Sequence, residues 1–356
     1  MESSICIKSR FKDYTLTFVQ DFSYLHLLVK EANTFFVIDR IVYNLYKNVL
    51  PCFPERRILL IDALEEKKNI DTVLEICEKM TAMSAKRNTH LVSVGGGITQ
   101  DITGFVATSL YRGIKWTFYP TTLLAACDSC IGGKSSLNYK GFKNLLGTFY
   151  PPDEIIVMPE VFKTLTSKDY CSGLGEVVKF NVIAGNDGVD RIEKDIDDIL
   201  NHDYSKLIGY VKTSLEFKKQ FIEEDEFDKG IRILLNFAHT FGHAYESISE
   251  YAIPHGSAVA LGMITANNIS VQRGYISSQY AKRIEDVCRK ILSHITLNKD
   301  WFEIDRIVRA IKKDKKQTDN SIKAVLINSE HRLDVYKDIE IKEIKQAVSH
   351  MILVLE

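Results

Sequence analysis

The sequence predicts an α/β domain built on a parallel sheet, followed by a mainly helical domain. Three observations carry this. Short apolar runs alternate with helical patterns through the first half; one such run leads straight into three consecutive glycines and a helical stretch; and beyond Pro159 the strand signals fade into amphipathic helices with few Gly or Pro residues. The expected division is 1–158 for the α/β domain and 159–356 for the helical one. With 356 residues, 45% of them hydrophobic, the chain can bury two cores of ordinary size.

TFFVID at 34–39, RILLID at 57–62, HLVSV at 90–94 and EIIVM at 154–158 read as strands. Their apolar runs are continuous rather than alternating, as expected where helices cover both faces of a parallel sheet. Ligands of such sheets bind beyond the strand C-termini. In the second half, apolar residues recur at three- and four-residue spacing over 207–223, 231–249 and 257–274, which predicts helices there. A β-like stretch at 323–328 predicts a late strand or turn. The cleft between the two halves is the expected place for chemistry.

Lys and Arg total 46 against 47 Asp and Glu, so the overall charge gives no reason to expect nucleic acid or an anionic membrane as partner. Any affinity for anions must be local. No apolar run approaches the roughly 20 residues that span a bilayer, and the opening MESSICIKSRFKDY is too polar for a signal peptide, so a cytoplasmic protein is expected. Seven scattered cysteines do not form a disulfide framework. Cys127 and Cys130 make a CxxC, but no second CxxC completes a structural zinc site, and both are read as reduced.

Gly95, Gly96 and Gly97 connect a strand to a helix. Glycines there let a backbone approach a pyrophosphate at a helix N-terminus, although tight strand-to-helix turns also use glycine for steric reasons alone. Asp39 closes the first strong strand, where a carboxylate can accept from an adenosine ribose or cap the next helix. His239 and His243 lie four apart in LLNFAHTFGHAYE, on one face of a helix, and His255 follows in IPHGSAVALGM. Two or three imidazoles with one carboxylate make a metal site with an open position; the same residues can also be core or capping groups. Glu176, in the apolar run SGLGEVVKF, is the candidate carboxylate, or else a surface glutamate beside Lys179.

The run RGIKWTFYPTTLLAACDSCIGGKSSLNYKGFKN at 112–144 resembles the hallmark segment of dehydroquinate synthases, with its PTTLLA turn, DSxxGGK motif and KN pair. GGGITQD upstream and GEVVK, LLNFAHTFGH and PHG downstream fall in the same order, so the resemblance covers nearly the whole chain. It implies that Glu176, His239 and His255 are ligands of zinc, cobalt or another divalent metal, and that His243 is a substrate-side group. It also implies NAD contacts from Asp39, Glu65, Lys68, Gly95, Gly96, Gly97, Asp101, Thr121, Thr122, Asp128, Lys134 and Lys143. Substrate contacts would come from Asp128, Lys134, Asn144, Lys179, Lys218, Arg232, Asn236 and His243, and phosphate contacts from Arg112, Lys134, Asn144 and Lys315 or Lys316. The arginine matching Arg112 serves a second subunit in that family, so a homodimer is implied.

The implied reaction is the cyclisation of 3-deoxy-D-arabino-heptulosonate 7-phosphate to 3-dehydroquinate and phosphate, a lyase step of the shikimate pathway to aromatic amino acids. Metal polarises the C4 and C5 hydroxyls, NAD takes a hydride from C5 and later returns it, phosphate leaves between the two events, and an aldol closure completes the ring. Departures from the family pattern are Asp228 for a glutamate, Gln100 for a glycine, Ala238 for a glycine and Ser257 for a glutamate. Sister cyclases acting on sugars such as sedoheptulose 7-phosphate differ at substrate-side positions, whereas Lys134, Lys218, Arg232, Asn236 and His243 here favour the dehydroquinate side. A metal-dependent polyol dehydrogenase and a non-catalytic binding protein are more distant alternatives.

Overall fold

The computed structural model describes residues 4–313 and 322–355. The chain forms two compact units, Met1–Leu165 and Thr166–Glu356, and the first takes in the 3₁₀ segment Pro159–Thr164.

The strands of the first unit are β1 (Ser4–Ile7), β2 (Tyr14–Phe18), β3 (Thr34–Asp39), β4 (Ile58–Ile61), β5 (His90–Gly95), β6 (Lys115–Pro120), β7 (Lys134–Tyr139), β8 (Phe142–Phe149) and β9 (Glu154–Val157). Its helices are α1 (Ser23–Lys30), α2 (Arg40–Tyr46), α3 (Ile70–Ala82) and α4 (Gly97–Ser109). Seven strands form one sheet in the order β1-β2-β9-β6-β5-β3-β4, with only the β1–β2 pair antiparallel. Every residue of β5 is buried, and Val92 pairs with Phe36 on one side and Thr117 on the other. That two-sided burial is why the strand carries no polar alternation. Asn69 caps α3 by accepting from the Thr72 amide at 3.0 Å, and the helix buries Val73, Ile76 and Met80. Strands β7 and β8 form a separate antiparallel hairpin, which the apolar-run criterion does not detect because Tyr139, Phe142 and Leu145 are exposed.

The second unit contains α5 (Ser167–Ile183), α6 (Asn186–Leu200), α7 (Tyr204–Glu224), α8 (His239–Ile248), α9 (His255–Gln272), α10 (Ser278–Leu292), α11 (Ile304–Lys313) and α12 (Ile341–Leu355), with a hairpin of β10 (Ile322–Ile327) and β11 (Leu333–Ile339). Helix α9 is central, packed by α5, α8, α10 and α12, and both α5 and α9 are buried on nearly all sides. Outer helix α6 buries Val189, Ile192, Ile196 and Ile199 along one stripe. No helix among the described residues is long and apolar enough to cross a membrane.

The single helix expected over 231–249 is broken in two. A 3₁₀ turn, Ile231–Asn236, ends at extended Phe237, and Ala238 takes a left-handed φ of 69° before α8 begins. Fully buried Phe237 anchors the break, and the apolar spacing continues across it, so periodicity alone does not register it.

Candidate functional site

Three helices bring Glu176, His239 and His255 together. Glu176 lies in the interior of α5, while His239 and His255 are the first residues of α8 and α9. Nε2 of His239 and of His255 lie 3.4 and 3.3 Å from Glu176 Oε1. The approach of α5 to the start of α9 depends on glycine: a β-carbon on Gly175 would collide with the Gly256 carbonyl, and one on Gly256 with the Ser172 carbonyl.

Glu176 is fully buried, and Lys179 Nζ stands 2.5 Å from its Oε2 while donating to the Leu235 carbonyl at 3.2 Å. Burial raises the Glu176 pKa, but Lys179 and the His255 ring beside it outweigh that and hold the carboxyl below its ordinary value. Lys179 lies against one carboxylate oxygen and the two imidazoles against the other, yet neither oxygen receives a well-directed hydrogen bond. A buried carboxylate in that condition, with two imidazoles on one oxygen, suits a divalent cation. The far nitrogens of both rings are engaged: His239 Nδ1 lies 3.0 Å from the Phe237 carbonyl and His255 Nδ1 3.3 Å from Glu246 Oε1.

His243, one turn along α8, has its ring 5.4 Å from that of His239 and 6.1 Å from that of His255. Lys179, Lys218 and Arg232 are all buried, and Asn236 donates to the Ile233 carbonyl. The loop before Arg232 is organised by Asp225, a residue the sequence reading passed over. Its carboxylate accepts from the amides of Lys229, Gly230 and Arg232 at 2.9, 2.7 and 3.1 Å. Burial raises the Asp225 pKa, and these amide bonds more than reverse that. Asp228 sits in the same turn at φ 56°.

In the first unit, Gly95 ends β5, Gly96 caps α4 and Gly97 is its first residue. A β-carbon on Gly96 would press within 2.9 Å of the Thr122 methyl, and the Thr121 amide donates to the Gly95 carbonyl. Asp39 serves as the N-cap of α2, accepting from the Ile41 amide at 2.9 Å, and burial raises its pKa.

A polar network joins several of the expected cofactor and phosphate residues. Lys68, only 6% exposed, donates to Asp101 at 3.0 Å and to Asn144 at 2.6 Å, and both Lys68 and Lys143 lie within ion-pair distance of Glu65. Burial raises the Asp101 pKa against the pull of Lys68. Two residues not anticipated complete the network. Ser136 donates to Asp101 and Asn144, and Asn138 donates to Glu65 and accepts from the Asn144 amide.

Gln100 clamps Ser129 twice, donating to its carbonyl at 2.7 Å and accepting from its hydroxyl at 2.6 Å, which fixes the π-helical turn Ala125–Ser129 that carries Asp128. Cys127 and Cys130 are buried thiols, not joined in a disulfide and each directed at a backbone carbonyl. Lys134 is exposed beside the Phe149 ring, and Arg112 is exposed in a turn where Tyr111, Arg112 and Gly113 all have positive φ. Lys315 and Lys316 lie outside the described residues.

The fold is that of the dehydroquinate synthase-like sugar phosphate cyclases. A 2-deoxy-scyllo-inosose synthase structure holding carbaglucose-6-phosphate, NAD⁺ and Co²⁺ matches with a TM-score of 0.83 at 24% identity, over 98% of this chain and 100% of that one. A 2-epi-5-epi-valiolone synthase from Streptomyces hygroscopicus, with NAD⁺ and Zn²⁺ bound, matches with 0.83 at 23% identity over 97% and 98%. Models of the 3-dehydroquinate synthase N-terminal and C-terminal regions match residues 58–172 and 173–317. The 3-dehydroquinate synthase of Dictyoglomus turgidum is 34% identical over 91% of this chain and 92% of its own. The chain belongs to the 3-dehydroquinate synthase family, and so is an enzyme of the phosphate-eliminating carbon–oxygen lyase class.

Proposed function

We propose that the protein cyclises 3-deoxy-D-arabino-heptulosonate 7-phosphate to 3-dehydroquinate with release of phosphate. The observation that carries this reading is the cluster of buried Glu176 with the partly exposed His239 and His255, in a unit that also buries Lys179, Lys218 and Arg232. In this reading the cluster holds zinc or cobalt. NAD lies on the glycine turn, with contacts from Asp39, Glu65, Lys68, Asp101, Thr121, Thr122, Asp128, Lys134 and Lys143. The NAD⁺ and metal of the inosose and valiolone synthases support both assignments. Bound there, the metal would polarise the sugar hydroxyls, and NAD would take up and return one hydride so that no reduced cofactor accumulates.

The chain's own groups hold the substrate. Lys134, Asn144, Arg112 and one of Lys315 and Lys316 take the phosphate, with exposed Arg112 serving a second subunit in a cytoplasmic homodimer. Lys179, Lys218, Arg232, Asn236, His243 and Asp128 orient the carbon chain and its carboxylate, which lowers the cost of ring closure.

A sugar without the carboxylate forfeits charge-assisted bonds to Lys218 and Arg232, each worth about 1.5–3 kcal/mol. The expected preference for the heptulosonate over sedoheptulose 7-phosphate is therefore at least about tenfold in kcat/KM, since ~1.4 kcal/mol is a factor of ten. Incubation with each sugar, NAD and zinc, followed by identification of the ring product by mass spectrometry and NMR, tests it. Turnover of sedoheptulose 7-phosphate alone would replace the substrate and keep the cyclisation. That second reading has some support from Asp228, one methylene shorter than glutamate in the turn before Arg232.

A further inference from the structure

His255 faces a carboxylate through each ring nitrogen: Nε2 lies 3.3 Å from Glu176 Oε1 and Nδ1 3.3 Å from Glu246 Oε1. Two clusters capable of holding a cation therefore share this one ring, Glu176 with His239 and His255, and His243 with Glu246 and His255. A neutral imidazole offers one lone pair, so it can serve only one of them at a time. For His239 the choice is made by the backbone, since the Phe237 carbonyl at 3.0 Å takes the Nδ1 proton. For His255 the group on Nδ1 is instead a side chain, Glu246, two turns along α8 from His239.

We propose that Glu246 is a positioning residue that accepts the Nδ1 proton of His255 and thereby commits Nε2 to the Glu176 cluster. Its carboxylate, 14% exposed and oriented towards the ring, fixes tautomer and rotation together and closes the alternative cluster by using up His255 Nδ1. This inference rests on the metal reading above. It makes Glu246 a determinant of metal affinity that contacts neither metal nor substrate.

The test is equilibrium binding of Co²⁺ to the full chain, followed by competition with a chelator and by the visible spectrum of the bound ion. Glu246→Ala should weaken Co²⁺ affinity about 10–100-fold and alter the spectrum, the usual consequence of losing an outer partner of a ligating histidine. Glu246→Gln keeps an acceptor at the same reach and should recover part of that loss. Should the alanine variant fail to fold, Glu246→Met, which keeps the volume without an acceptor, must show the same weakening. Unchanged affinity and spectrum in a folded Ala or Met variant, or a Gln variant as weak as Ala, would overturn the proposal. The metal reading fails separately, if the unaltered protein binds no Co²⁺ or if His239→Ala binds it as tightly.

Discussion

In the helical unit the candidate ligands are part of the core: Glu176 is fully buried on α5, and glycines at 175 and 256 let α5 press against the start of α9. In the α/β unit the network of Lys68, Asp101, Asn138 and Asn144 leans on a hairpin whose Asn144 is exposed and whose strands lie outside the main sheet. The first arrangement cannot change a side chain without disturbing packing; the second can lose a hydrogen bond and keep its fold. Stability and function should therefore be coupled in one unit and separable in the other.

The largest effect is expected from Glu176→Ala. It leaves Lys179 charged, only 2% exposed and without its carboxylate, which typically costs about 3–5 kcal/mol. Chemical denaturation in the presence of chelator should show that loss, and phosphate release should be abolished as well. A variant as stable as the parent would break the coupling claimed for this unit.

The α/β unit should behave in the opposite way. Lys68→Met removes the bonds to Asp101 and Asn144 while keeping the aliphatic stem, and should weaken NAD at least about tenfold, the equivalent of ~1.4 kcal/mol. Asn144→Ala at an exposed position should change stability by no more than about 0.5 kcal/mol. Calorimetric titration with NAD and denaturant melts of the same samples give both numbers. Unfolding of Asn144→Ala would erase the contrast between the units.

The smallest effect is a pH dependence in the Arg232 loop. Asp225 has its pKa lowered by three amide bonds, so its contribution to stability is present above the ordinary carboxylate pKa of about 3.8 and is lost as pH falls below it toward the folded value. Asp225→Asn should flatten the acid limb of a stability–pH curve. An unchanged limb would mean that the loop gains nothing from the ionised form.

The two units were also unequally legible in sequence. Strands β3, β5 and β9 announce themselves because buried parallel strands are continuously apolar, and the metal candidates stand in short motifs, His239 and His255 at helix starts and Glu176 inside the apolar run of α5. Residues whose function is conferred by a partner were harder to see. Glu246 looks like any helical glutamate until His255 is placed beside it, and Ser136 and Asn138 acquire a role only once β7 folds against β8. The helix break at Phe237 and Ala238 does not show in the apolar spacing, and alanine itself gives no sign of a left-handed backbone; the hint is that Ala238 stands where the family pattern has a glycine, and the break makes His239 the first residue of α8. Asp225 was not anticipated either: its role as acceptor for the Lys229, Gly230 and Arg232 amides shows only once the turn before Arg232 is folded, although an aspartate shortly before a glycine is the turn signal that could have found it.

The central claim is that a metal cluster in the helical unit and an NAD network in the α/β unit serve one cyclisation. A time course of phosphate, ring product and NADH on 3-deoxy-D-arabino-heptulosonate 7-phosphate tests it most directly, with chelated protein and again after zinc or cobalt is restored. The account predicts phosphate and ring product in equal amounts with no net NADH, both lost on chelation and regained with metal. Accumulating NADH without phosphate, or full turnover by the metal-free protein, would contradict it.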